Sequence, residues 1–94
     1  MTNDDSTIPS PASGPQVTVY WRPGCPFCAM LRAGLRHHDV AYTEVNIWED
    51  ADAAAFVRSV ARGNETVPTV TVGTVSLVNP SAREVAVLVG AATG

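Results

Sequence analysis

The feature that most constrains this chain is a switch in hydrophobic periodicity at residues 22–24 (RPG). Before this turn, residues 16–21 (QVTVYW) are β-branched and aromatic, which is the composition of a buried strand. After it, from Pro26 to about His38, apolar residues recur at helical spacing. Pro26 suits the first turn of a helix, because its missing N–H is no loss there. A strand that passes directly into a helix therefore begins the predicted fold.

A second strand and a second helix follow. Residues 41–47 (AYTEVNI) alternate like a strand. Acidic residues between positions 49 and 52 then mark a helix start, and Arg58 and Arg62 mark its end, since both sets of charges are favourable to the helix dipole. Residues 63–64 (Gly-Asn) stop this helix.

The last part of the chain predicts a hairpin and a third helix. Residues 69–72 and 75–78 are β-branched runs separated by Gly73-Thr74, and Gly at the first central position of a two-residue loop indicates a type II′ turn. Asn79 and Pro80 then predict the opening of a helix, with Asn79 as the N-cap and Pro80 at the first helical position.

The predicted order is thus β-α-β-α-β-β-α, which is an α/β fold. A helix joins the first two strands, so they should be parallel with a right-handed crossover, whereas the last two form an antiparallel hairpin. A mixed four-stranded sheet with helices on both faces buries the apolar side of every element. We expect one domain over residues 16–92, after a disordered tail over residues 1–15 that is rich in Pro, Ser and Thr.

Charge and hydropathy exclude several classes of function. The formal net charge of −3 argues against a nucleic-acid-binding protein, which would present a basic face. No stretch approaches the roughly twenty apolar residues of a membrane-spanning helix. The first residues have neither the basic start nor the apolar middle of a secretory signal, so we expect a protein of the reducing cytoplasm.

Both cysteines of the chain, Cys25 and Cys28, lie where the first strand passes into the first helix. A disulfide between them closes almost no loop, so it adds little stability, and redox chemistry is the better reason for the pair. The free N–H groups and positive dipole at a helix N-terminus favour a thiolate at Cys25. Cys28 should be more buried and more fully protonated, one turn further along the helix.

Other interpretations of these residues are less well supported. Zinc would need a second pair of ligands, and His37 and His38 are adjacent, diverge on a helix and lie about three turns from Cys25. The two histidines fit a solvated helix C-terminus. Trp21 and Trp48 stand next to strand ends, where aromatic residues usually pack, and are not included in the predicted site.

The segment WRPGCPFC, followed later by TVPT, resembles the glutaredoxin branch of the thioredoxin-fold family, whose element order is the predicted one. Within that family, VNIWEDADAAAFVRSVARGNETVPTV and LVNPSAREV resemble the mycoredoxins, actinobacterial relatives that use mycothiol in place of glutathione. The resemblance extends from Val17 to Val89 and implies a thioredoxin-like fold.

The resemblance also implies roles for matched residues around the cysteines. Cys25 would be the nucleophile and Cys28 the resolving thiol. Arg22 stands where glutaredoxins usually have Lys, and would attract the carboxylate of a thiol cofactor. Phe27 holds the aromatic position beside the thiolate.

Two further segments match the family's binding site. Val67-Pro68 corresponds to a turn whose proline is cis, so that the Val67 backbone can pair with a substrate; an ordinary breaker at a strand edge is the alternative for Pro68. Residues 78–81 lack the Gly-Gly and the Asp with which glutaredoxins grip the γ-glutamyl end of glutathione. Asn79 and Ser81 could instead give neutral hydrogen bonds to mycothiol, or could serve only as a helix cap.

The resemblance therefore implies an enzyme that reduces mixed disulfides between proteins and a low-molecular-weight thiol, mycothiol rather than glutathione. An NADPH-dependent flavoprotein disulfide reductase would act indirectly as the partner, oxidised or thiolated proteins would be substrates, and no cofactor would be tightly bound. We expect a monomer. An iron–sulfur cluster carrier that uses Cys25 in a dimer is the alternative function, and a non-catalytic binding module is a third.

Overall fold

Seven elements follow one another in the order β-α-β-α-β-β-α, as predicted. The computed structural model describes residues 15–93, so all of the predicted tail except Pro15 lies outside the described residues. The elements are β1 (Val17–Trp21), α1 (Pro26–His37), β2 (Thr43–Asn46), α2 (Ala51–Val60), β3 (Thr69–Val72), β4 (Val75–Val78) and α3 (Ala82–Thr93). Within residues 15–93, the helices are too short or too polar to cross a membrane.

The four strands form one mixed sheet in the order β2-β1-β3-β4. β1 is parallel to β2 and antiparallel to β3, and β3 is antiparallel to β4. In the β1–β3 pair, Tyr20 lies opposite Thr69, so the end of β1 adjoins the beginning of β3. This register brings residues 22–28, which follow β1, next to residues 66–68, which precede β3.

Helices cover both faces of the sheet, which confirms the predicted layers. On one face, α1 and α3 pack on β1 and β3 and bury a core of seven residues: Val17, Val19, Leu31, Leu35, Val70, Val72 and Val85. On the other face, α2 packs through Ala53, Ala54 and Val57 with Ile47, and the rings of Tyr20 and Phe56 lie 5.1 Å apart at its edge. Alternate residues of the central strands therefore supply both cores.

α1 and α3 approach closely at a glycine. A Cβ atom placed on Gly34 would lie 2.5 Å from the Cβ of Ala82, the first residue of α3. Real Cβ atoms do not approach so closely, so this position requires glycine unless the helices move apart. The absence of a side chain at Gly34 thus sets where the N-terminus of α3 lies against α1.

Most predicted boundaries agree with the structure, and the exceptions have local causes. Asp50 is the N-cap of α2 and accepts a hydrogen bond from the Ala53 N–H at 3.0 Å. α2 ends at Val60, however, and Arg62 lies beyond it in the left-handed region with φ +58°. The second strand is shorter than predicted, while Gly73 has the positive φ of +60° that the predicted hairpin turn requires.

The prediction that Asn79 caps α3 is wrong: the cap is Ser81. The Ser81 hydroxyl accepts the Glu84 N–H at 3.0 Å, and the Ser81 N–H donates to Glu84 Oε1 at 2.7 Å, which is a capping box. Asn79 adopts a left-handed conformation (φ +52°), and its N–H donates to the Pro68 carbonyl at 2.8 Å. That contact fixes the chain before α3, so the helix starts two residues later than the Asn-Pro pair suggests.

Candidate active site

Cys25 is the N-cap of α1 and stands at the end of the sheet where β1 and β3 meet. Its extended backbone (φ −103°, ψ 103°) places the side chain over the first turn, where Sγ accepts a hydrogen bond from the Cys28 N–H at 3.2 Å. The side chain is partly exposed. A sulfur at this position therefore accepts a backbone N–H of the first helical turn and has access to solvent.

Cys28 is fully buried beneath this sulfur, one turn along α1. Burial, together with a side-chain hydrogen bond with Cys25, raises the pKa of the Cys28 thiol to about 12. The backbone N–H of Arg22 and the charge of Arg32 act in the opposite direction but do not compensate. Cys28 is therefore a protonated thiol at neutral pH, and both cysteines are free.

The turn before β3 lies against Cys25. The Val67 carbonyl oxygen is 3.8 Å from Cys25 Sγ, and the Val67–Pro68 peptide bond is cis. Pro68 is buried, whereas Val67 is half-buried. The Pro68 carbonyl accepts the Asn79 N–H, so this turn also connects the site to the segment that leads into α3.

Two arginines lie over the tryptophans at one side of the site. The guanidinium carbon of Arg22 is 5.9 Å from the centroid of the Trp48 ring, and that of Arg32 is 4.7 Å from the Trp21 ring. Trp48 is 62 % exposed, so its contact with Arg22 forms part of the surface rather than of a core.

On another side of the first turn of α1 there is an open groove of about 360 Å³. Phe27, Met30 and Leu31 line one wall, and residues 79–82 with Glu84 line the other. The side chains of Phe27 and Met30 are 63 % and 68 % exposed, so large apolar surfaces face solvent directly beside Cys25 in the chain. Such exposed apolar surface is typical of a binding site.

The structure brings together most of the residues singled out in the sequence. Cys25, Cys28, Val67 and Pro68 contact one another directly or through their neighbours, and Asn79 joins them through its hydrogen bond to Pro68. Phe27, Asn79 and Ser81 share the groove. Arg22 points to Trp48, and the Ser81 hydroxyl is already engaged in the helix cap.

Two residues that line the groove, Met30 and Glu84, were not predicted from the sequence, and Trp48, which was left out as a packing residue, is exposed under Arg22. The sequence signal for Glu84 was present, because Ser-x-x-Glu is the capping-box pattern. Met30 lies three positions after Phe27 and so shares its helix face. Among residues 15–93, no three His, Cys, Asp or Glu side chains come together in a way that could hold a metal ion.

Comparison with known proteins gives consistent matches. A family model described as glutaredoxin matches residues 17–77. Rv3198A of Mycobacterium tuberculosis, whose name assigns it to the glutaredoxins, is 46 % identical over 70 residues, which cover 73 % of this chain and 83 % of that protein. Mycoredoxin 1 of Corynebacterium glutamicum is 39 % identical over 54 residues, or 57 % of this chain and 66 % of the relative. The crystal structure of the thioredoxin-like protein BC3987 superposes with a TM-score of 0.67 at 26 % identity, over 78 % of this chain and 99 % of that one.

Proposed function

This chain belongs to the glutaredoxin family of thiol–disulfide oxidoreductases, and we propose that it reduces mixed disulfides between proteins and a low-molecular-weight thiol, with Cys25 as the attacking thiolate. The observation that carries the proposal is the asymmetry of the two cysteines. Cys25 Sγ is accessible and accepts the Cys28 N–H at 3.2 Å, whereas Cys28 is buried and protonated.

In the first step, the Cys25 thiolate attacks the sulfur that belongs to the small thiol in the mixed disulfide. A disulfide forms between Cys25 and the small thiol, the original disulfide breaks, and the substrate cysteine leaves as a thiolate. A second molecule of the small thiol, as thiolate, then attacks the small-thiol sulfur of the enzyme-bound disulfide. This step releases Cys25 as a thiolate and yields the symmetric disulfide of the small thiol.

Disulfides within a protein require the second cysteine. Attack by Cys25 on one sulfur of the internal disulfide releases the other substrate cysteine and leaves the substrate attached to Cys25. Cys28 then attacks Cys25 Sγ, which forms the Cys25–Cys28 disulfide and releases the second substrate cysteine. Two molecules of the small thiol reduce the enzyme disulfide and become their own symmetric disulfide. Cys28 gives up its thiol proton as it attacks, and the departing substrate thiolate takes up a proton, so the proton count balances. The hydrogen bond between the two side chains supports this role, because the groups that must react are already adjacent.

The surrounding residues are suited to hold the substrate. Val67 is half-buried beside Cys25, and we propose that its backbone pairs with the backbone of a bound substrate, with Pro68 holding the turn. Arg22, three residues before Cys25 in the chain, holds its guanidinium over Trp48, and we propose that it attracts an anionic part of a bound substrate. Phe27 offers an apolar surface for the part of the small thiol nearest its sulfur.

We propose mycothiol, rather than glutathione, as the small thiol. The similarity to a mycoredoxin supports this choice, as does the presence of Asn79, Pro80 and Ser81 where glutaredoxins that use glutathione carry an acid for its ammonium group. Asn79 and Ser81 are exposed at the groove and are uncharged, which suits a sugar-based thiol. The Ser81 hydroxyl accepts the Glu84 N–H as the cap of α3, and its O–H and second lone pair are left for a ligand.

The remaining parts of the proposal concern the cell. We propose that the chain acts as a monomer in the cytoplasm, as one domain over residues 16–92. The symmetric disulfide of the small thiol would be reduced by an NADPH-dependent flavoprotein, and oxidised or thiolated proteins would be the substrates.

The test compares the two thiols under matched conditions. Oxidised protein is mixed with mycothiol or with glutathione, each with its own NADPH-dependent disulfide reductase, and NADPH consumption is followed in the presence of a mixed-disulfide substrate. We expect NADPH to be consumed when a thiol and its reductase are both present. The kcat/KM should be higher with mycothiol than with glutathione. A lack of turnover with both mycothiol and glutathione would contradict the proposed function. A higher kcat/KM with glutathione would contradict only the choice of mycothiol.

A further inference from the structure

We propose that Glu84 makes the groove beside Cys25 select against small thiols that carry a carboxylate, and so favours an uncharged thiol. This inference deepens the proposed function and rests on it. It assigns to the first turn of α3 a role in specificity in addition to its role in the helix cap.

The N-terminus of α3 is hydrogen-bonded to a carboxylate of its own first turn. The N–H groups at a helix start ordinarily attract anions, because they have no partner within the helix and lie at the positive end of its dipole. Here the Ser81 N–H donates to Glu84 Oε1 at 2.7 Å, and the Glu84 N–H donates to the Ser81 hydroxyl at 3.0 Å. The chain's own carboxylate therefore occupies the place that a ligand's carboxylate would take.

The charge of the groove lining comes from Glu84. Phe27, Met30, Asn79 and Ser81 are uncharged, and Glu84 is the charged side chain among the described residues that line the groove. Neither of the ion pairs found within residues 15–93 involves Glu84. Its carboxylate accepts the Ser81 N–H and has no ion-pair partner within residues 15–93, so we expect the groove wall to disfavour a ligand carboxylate.

The groove begins close to the reacting sulfur of Cys25. Phe27 is two residues from Cys25, and Asn79 is bonded to the Pro68 carbonyl in the turn that contacts Cys25. A small thiol joined to Cys25 through a disulfide would therefore extend along this groove. Arg22 lies away from the groove over Trp48, and its attraction for an anion does not depend on which residue occupies position 84.

The test uses one thiol with and without its carboxylates. Peptides carrying a mixed disulfide with glutathione, or with glutathione diethyl ester, are reduced by the native protein and by Glu84→Gln. Gln keeps the capping-box geometry and removes the charge. We expect the ratio of kcat/KM for glutathione to that for the ester to rise roughly two- to fivefold in Glu84→Gln, the size of effect that one exposed charge produces. Glu84→Lys should raise the ratio further.

Two controls separate charge from structure. Asp39→Asn removes a carboxylate near the other end of α1, about 18 Å from its N-terminus at 1.5 Å per residue, where Asn also tolerates the left-handed backbone. This variant should leave the ratio unchanged. Added salt should raise the ratio in the native protein and have less effect in Glu84→Gln.

A folded Glu84→Gln protein with the native ratio and the native salt dependence would overturn this inference while leaving the proposed function intact. If the native protein reduces a mycothiol mixed disulfide but neither the glutathione nor the ester one, this inference is overturned, because the ester is rejected without its carboxylates. If it reduces none of the three, the proposed function fails as well.

Discussion

At the scale of single residues, the two cysteines are close in the chain but lie in environments of different solvent exposure. Cys25 caps α1 and is partly exposed, whereas Cys28 has no exposed surface. The same backbone turn produces both conditions, since the residue at the N-cap lies outside the helix and the residue three positions later faces the core. One helix start therefore yields an accessible sulfur and a buried one, which supports the proposed roles.

This asymmetry predicts the order of alkylation. In the reduced protein, a short pulse of iodoacetamide at neutral pH should label Cys25 much faster than Cys28, as read by mass mapping of the two sites. The reagent can reach Cys25, which is partly exposed. The pKa of Cys28 is raised, so little Cys28 thiolate is present until the pH approaches about 12. Labelling of unfolded protein in denaturant is the control and should be nearly equal. Equal labelling in the folded protein would contradict the assigned roles.

At the scale of elements, the approach of α1 and α3 at Gly34 determines the shape of the groove. A Cβ there would lie 2.5 Å from that of Ala82, next to the residue that caps α3. Any displacement of α3 also moves Ser81 and Glu84, which form one wall of the groove. The glycine therefore acts on the site through helix packing.

Gly34→Ala should lower the free energy of unfolding by up to about 2 kcal/mol, because an overpacking cost of about 1–3 kcal/mol outweighs the gain in helix propensity of about 1 kcal/mol. Gly90→Ala in α3 is the matched control: a Cβ there meets no atom within 4 Å, so the variant should be more stable by up to about 1 kcal/mol. Chemical denaturation of both variants measures the difference. A stabilised Gly34→Ala protein would show that the close contact with Ala82 is relieved without cost.

The elements also show what sequence could and could not predict. The order of strands and helices, the hairpin at Gly73 and the Asp50 start of α2 follow from local signals and were predicted. The start of α3 was not, because two cap signals overlap there and a tertiary hydrogen bond from Asn79 to Pro68 decides between them. The meeting of Met30 and Glu84 across the groove depends on helix packing at Gly34, which no local pattern contains.

At the scale of the whole molecule, the sheet joins segments that are distant in sequence. The register between β1 and β3 places the Cys25 turn beside Val67, and the hairpin returns the chain so that Asn79 meets Pro68. The site thus combines the Cys25 sulfur, the Val67 backbone and the groove from three parts of one fold. The proposed reaction has a disulfide substrate contact all three.

The measurement that tests this account most directly is the activity of Cys25→Ser and Cys28→Ser on two substrates. One substrate is a protein in mixed disulfide with the small thiol, and the other is a protein with an internal disulfide. Cys25→Ser should be inactive on both, since a hydroxyl is not a competent nucleophile in thiol–disulfide exchange. Cys28→Ser should retain most of the first activity, for which a second small thiol releases Cys25, and lose most of the second. Equal loss of both activities in Cys28→Ser, or any appreciable activity in Cys25→Ser, would contradict the account.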